Sequence, residues 1–74
     1  NKVLLVSNIP PEVTPLMLRA LFGQFAGLLD VRPVADRGLA FVEFDSESSS
    51  LPALQGLHNF RVTSTHALSV AFAK

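Results

Sequence analysis

Residues 38–44 read Gly-Leu-Ala-Phe-Val-Glu-Phe, and this run limits the fold more than any other part of the chain. Side chains along a β-strand point to alternate faces. A strand here places Ala40, Val42 and Phe44 on one side and Leu39, Phe41 and Glu43 on the other. The first set is wholly apolar and suits a core. The second sets an aromatic ring beside a carboxylate, which no core would choose, so the strand carries a buried face and an exposed one.

The remaining elements arrange themselves around this strand. VLLV (residues 3–6) is a short apolar run closed by Ser7, Asn8 and two prolines, as expected of a buried strand. Thr14-Pro15 reads as a helix start, with Thr14 as N-cap and Pro15 in the first helical position. Leu18, Leu21, Phe22 and Phe25 then recur at the spacing of one helix face, a core stripe, and Gly27 is the expected C-cap. Leu28 to Val34 resumes strand character, with Leu29, Val31 and Pro33 alternating against Asp30 and Arg32. Pro33 cannot donate to a ladder, so this strand is expected at a sheet edge. Residues 46–50, Ser-Glu-Ser-Ser-Ser, read as a solvated polar loop, with phosphorylation there a minor alternative.

Leu51, Leu54 and Leu57 suit a short helix starting near Leu51, because Pro52 is tolerated best in a first turn. Gly56 weakens that helix by about 1 kcal/mol relative to alanine. Asn59 fits a left-handed cap, and residues 60–62 a small extended piece. Ala67 to Ala73 alternates Leu68, Val70 and Phe72 against Ser69, Ala71 and Ala73, a half-buried last strand. His58 and His66 read as surface residues near a helix end and a turn. The resulting order, β-α-β-β-α-β, is the ferredoxin-like α+β arrangement: a four-stranded antiparallel sheet with two helices on one face. The first and third strands then lie in the middle of the sheet.

Composition narrows the function classes. With 74 residues, 49% of them hydrophobic, the chain can build one core, so residues 1–74 are expected to form a single domain. Strands running up to both ends fit a domain cut from a longer chain. There are no cysteines and only two histidines, which argues against disulfides and zinc. Six basic residues are cancelled by six acidic ones, so any nucleic-acid binding must rest on a few local contacts. No apolar run approaches the roughly eighteen residues of a membrane span, and no signal-peptide pattern opens the chain.

The octamer Arg37 to Phe44, RGLAFVEF, matches the K/R-G-F/Y-G/A-F-V-x-F/Y pattern of the RNA recognition motif at every fixed position except Leu39. LLVSNI (Leu4 to Ile9) has the shape of the companion hexamer on the first strand. The chain therefore resembles an RNA recognition motif. Residues 16–45 and the closing FRVTSTHALSVAFAK are similar to the second such motif in the A and B-double-prime family of spliceosomal small nuclear ribonucleoprotein components. That resemblance implies a nuclear component of the pre-mRNA splicing machinery. It also implies a less settled role than that of the family's first motif, the established RNA binder.

In the family, bases stack on three aromatic positions, which here are Leu5, Leu39 and Phe41. Only Phe41 can stack. Each base–aromatic stack contributes about 1–3 kcal/mol, so weak single-stranded RNA binding is expected. Phe41 is either a stacking platform or a surface covered by a flanking segment. Leu5 and Leu39 either pack across the strands or touch a base or partner. Arg37 and Arg32 are candidates for phosphate contact, although Arg32 can instead pair with Glu43 across the strands. Ser7 and Asn8 can read base edges or tie the local turn. Polypyrimidine-tract-binding proteins resemble this hexamer and bind RNA without the full aromatic set.

Two other function classes compete with RNA binding. An apolar sheet face of Leu5, Leu39 and Phe41, or the helix face, suits a protein partner such as a spliceosomal subunit. Catalysis has little support: no nucleophile–base pair, paired carboxylates or phosphate-cradling glycine loop can be assembled. Acylphosphatase-like enzymes share the topology, but PPEVT (Pro10 to Thr14) does not resemble their phosphate loop. The expectation is a monomeric, non-enzymatic binding domain with no cofactor and no membrane association.

Overall fold

Residues 2–34 and 38–73 are described by the structure, a computed structural model. Along the chain run β1 (Val3–Ser7), α1 (Pro15–Gly23), β2 (Leu28–Val34), β3 (Leu39–Phe44), α2 (Glu47–Leu57) and β4 (Ser69–Phe72). The strands form one antiparallel sheet in the order β2-β3-β1-β4. The two strands richest in alternating apolar residues are central, because each needs a neighbour on both sides. Leu4 and Val6 of β1 and Ala40, Val42 and Phe44 of β3 are fully buried, in one cluster with Leu18 and Phe22 of α1 and Ala53 and Leu57 of α2. Both helices therefore cover the same sheet face. A fully buried Leu, Val or Phe contributes roughly 1.5–3 kcal/mol, so this interface dominates the fold's stability.

Helix α1 starts as its sequence demands. Thr14 is extended, its hydroxyl accepts the Met17 N–H at 3.2 Å, and Pro15 opens the helix. The helix ends at Gly23 with Gln24 as its cap, short of the expected Gly27. Gly27 instead takes φ +93°, a left-handed backbone that favours glycine. A Cβ at Gly27 would run into Ser49 Oγ and the Asp45 carboxylate, and its carbonyl accepts the Asp45 N–H at 2.8 Å. Gly27 is thus where the α1–β2 turn docks onto the start of α2, not a helix cap.

Helix α2 corrects the reading of residues 46–50 as a loop. It begins at Glu47, not near Leu51, with Ser46 as N-cap accepting the Ser49 N–H at 3.3 Å. Ser49 Oγ donates in turn to Asp45 Oδ1 at 2.7 Å. Ser50 is fully buried, its hydroxyl donating to the Glu47 carbonyl at 3.1 Å. Pro52 therefore sits inside the helix. It is exposed, on the side where the Ser48 carbonyl that it leaves without an N–H can meet water. Gly56 has a packing reason: a Cβ there would stand 2.8 Å from the Phe25 ring.

In β2 the expected alternation breaks at a bulge. Leu28 pairs with Phe44 and Asp30 with Glu43, leaving Leu29 as the extra residue, 57% exposed. Leu28, not Leu29, packs on the core, and Val31 follows it inward. At the opposite edge β4 is shorter than its apolar pattern. Phe72 pairs with Leu4 yet stays 42% exposed, as the last residue of an edge strand. Asn59 takes the left-handed conformation expected of it, at φ 62°. Beyond it Arg61 bridges Ala67, and the Leu68 N–H donates to the Phe60 carbonyl at 2.8 Å. His58 Nδ1 accepts the Val70 N–H at 3.2 Å, which ties the end of α2 to β4.

Candidate nucleic-acid interface

The sheet face away from the helices is built in rows. Arg32 pairs with Phe41, Phe41 with Leu5, and Leu5 with Ala71, so one row crosses all four strands. Asp30, Glu43 and Val3 form the row on one side of it. On the other side Val34 pairs with Leu39, and Ser7 with Ser69. Phe41 is 36% exposed, whereas Leu5 and Leu39 are half-buried among their neighbours. The row thus offers one aromatic ring with aliphatic contacts beside it and a small-residue floor at Ala71.

Gly38 belongs to this site through its backbone. Its φ is +62°, its carbonyl accepts the Ile9 N–H at 3.1 Å, and a Cβ would stand 3.0 Å from the Ile9 carbonyl oxygen. The glycine of the octamer lets β3 begin hard against the end of β1. Beyond Leu39 the face runs into a cleft of about 430 Å³ lined by Ile9, Pro10, Pro33, Val34 and Gly38 among others.

Charges on this face cancel in pairs. Arg32 Nη2 lies 3.4 Å from Glu43 Oε1 and its Nε 4.0 Å from Asp30 Oδ2, while Arg19 Nη2 reaches Asp30 Oδ1 at 3.1 Å. Asp30, which the sequence reading left without a role, is the bridge between the two arginines. It can be one because the bulge at Leu29 sets it opposite Glu43 at the sheet edge. Such exposed pairs contribute at most about 1 kcal/mol each, so a phosphate can compete for Arg32. Arg37 lies outside the described residues.

Asn8 and Ser7 carry structural bonds. Asn8 stands at φ 60°, and its Nδ2 donates to the Ala67 carbonyl at 2.9 Å, which holds the end of β1 to the approach of β4. Ser7 Oγ makes a long contact of 3.4 Å with the Ser69 carbonyl. Of the seven sequence candidates, the structure brings Phe41, Leu5, Leu39, Arg32 and Ser7 onto one face, with Asn8 at its end. Among the described residues no helix is long and apolar enough to cross a membrane.

Comparison with known proteins agrees with this geometry. The family model described as "RNA recognition motif" matches residues 4–68. The chain is 44% identical to the U1 small nuclear ribonucleoprotein A of Drosophila melanogaster over 75 aligned positions, covering 100% of this chain and 35% of that protein. It is 39% identical to the U2 small nuclear ribonucleoprotein B'' of Oryza sativa subsp. indica, covering 100% of this chain and 32% of that protein. It therefore spans about a third of the length of these curated relatives. Among solved structures, the Sxl-lethal protein/RNA complex superposes with a TM-score of 0.86 at 30% identity, covering 100% of this chain and 47% of that one. The family is a binding module and not a catalyst. A ferredoxin-like sheet, a near-complete octamer on its central strand and a family match over most of the length place the chain in the RNA recognition motif family, related to the small nuclear ribonucleoprotein A and B'' proteins.

Proposed function

We propose that this domain belongs to a spliceosomal small nuclear ribonucleoprotein component, acts in the nucleus in pre-mRNA splicing, and holds single-stranded RNA weakly across the open sheet face. The observation that carries this reading is the row Arg32–Phe41–Leu5–Ala71, with its one exposed ring in the centre. Phe41 stacks one base. Leu5 and Leu39 give neighbouring bases aliphatic contact, and Arg32 and Arg37 meet phosphates. Ser7 and Asn8 stand where base edges would pass. Relative to a face with three aromatics, two missing stacks remove about 2–6 kcal/mol, or roughly 30-fold to 10⁴-fold in affinity.

The test is an NMR titration of the chain with a mixed pool of short single-stranded RNAs. Amides of β1 and β3 should shift, and affinity should fall with salt along a shallow slope of roughly −0.7 per phosphate contacted. Sheet amides that stay still at millimolar RNA refute the reading for this domain.

A second reading is favoured by the charge pairing, since Asp30 and Glu43 both lie against Arg32, one of the two arginines that RNA would need. In it the Leu5, Leu39 and Phe41 surface docks a spliceosomal protein. Partner capture that survives high salt and ribonuclease supports this reading, and loss of the partner on ribonuclease treatment rejects it.

A further inference from the structure

Helix α1 carries a second apolar stripe besides the one that faces the sheet. Met17, Ala20 and Leu21 follow one another at i, i+3 and i+4, the spacing of a single helix face, and Val13, just before the Thr14 N-cap, extends this apolar surface. They form one wall of a groove of about 350 Å³, and Phe60 and Val62 form the other, with Arg61 beside them. This is within the range of about 300–1,000 Å³ typical of ligand clefts. Met17 is 46% and Phe60 39% exposed, so the groove holds open apolar surface in the helix layer, away from Phe41.

The charge around the groove selects its occupant. Helix α1 and residues 60–66 together contain no Asp or Glu. Arg19 is held by Asp30, and among the described residues Arg61 is in no ion pair. Glu12, the neighbour of Val13, does not line the groove. A second copy docking groove to groove would set Arg61 against the same positive rim. We propose that this groove docks an acidic amphipathic segment of a partner protein, whose leucine or aromatic anchors fill it and whose carboxylate pairs with Arg61. The unbranched thioether of Met17 lets the wall adapt to such anchors. The sheet face takes no part, so RNA and this segment can be held at once.

The test is an amide titration of the chain with two synthetic amphipathic peptides. Both carry leucine and phenylalanine on one face, one flanked by glutamates and the other by lysines. The glutamate peptide should move Met17, Ala20, Leu21, Arg61 and Val62 and leave Leu5 and Phe41 unmoved. The lysine peptide should bind at least about tenfold more weakly. Met17→Asp should abolish binding while distant amides keep their positions, and Arg61→Glu should reverse the preference between the peptides. Equal binding of both peptides overturns the proposal, as does binding on the sheet face or no groove shift at millimolar peptide. Groove shifts that depend on protein concentration alone identify a second copy as the occupant and overturn it too.

Discussion

Replacing Glu43 with glutamine should strengthen RNA binding, and the structure sets how much. Glu43 Oε1 lies 3.4 Å from Arg32 Nη2 on the open face, in the row next to Phe41. The carboxylate acts twice: it occupies the arginine that would meet a phosphate, and it repels that phosphate. Taking the phosphate at roughly 8 Å from Glu43, with an effective dielectric between about 20 and 80, the repulsion is roughly 0.5–2 kcal/mol before screening. At physiological salt 8 Å is about one Debye length, which reduces this to about a third. The repulsion alone then weakens binding by roughly 1.3- to threefold. Loosening Arg32, which still has Asp30 Oδ2 4.0 Å from its Nε, adds a contact of at most about 1 kcal/mol, or roughly fivefold. Glu43→Gln should therefore bind a short single-stranded RNA more tightly, by between about 1.3-fold and roughly 15-fold. Its salt slope should steepen by up to about 0.7, the contribution of one more phosphate. Fluorescence anisotropy across a salt series reads both quantities. In an Arg32→Gln background the steepening should vanish and only the smaller gain from lost repulsion remain. If Glu43→Gln binds no tighter, or steepens the slope equally without Arg32, the assignment of this pair is wrong.

Two further predictions concern the fold. Ser46→Ala should destabilise the domain by about 1 kcal/mol through loss of the α2 N-cap, whereas Ser48→Ala, at an exposed position, should change the urea midpoint little. Gly56→Ala should also destabilise, by about 1 kcal/mol, because overpacking against Phe25 outweighs the helix-propensity gain. In a Phe25→Leu background the same change should instead stabilise, and a stabilising Gly56→Ala in the unaltered chain would count against that packing.

The central sheet was legible because alternation on β1 and β3 leaves no choice of face. Leu4, Val6, Ala40, Val42 and Phe44 can only point inward together, and they do. The edges were not legible. Nothing in Leu28-Leu29 says which leucine is bulged out, since that choice is made by pairing with Phe44 and Glu43. The start of α2 is hidden by Pro52, whose usual place is a first turn; in the structure the earlier turn is held by the Ser46 cap. At the site, strand parity exposes Phe41, but not the role of Asp30, which depends on that same bulge. The Met17, Ala20 and Leu21 stripe is also present in the sequence. It blends with the core stripe because Leu21 belongs to both.

The most direct test of sheet-face RNA binding is the affinity of Phe41→Ala for short single-stranded RNA beside that of the unaltered chain, with the fold checked by the unchanged amides of Leu4 and Val42. Loss of the one available stack should weaken binding by about 1–3 kcal/mol, roughly five- to 150-fold. An affinity that stays the same would contradict the role given to Phe41 and leave the sheet face to a protein partner.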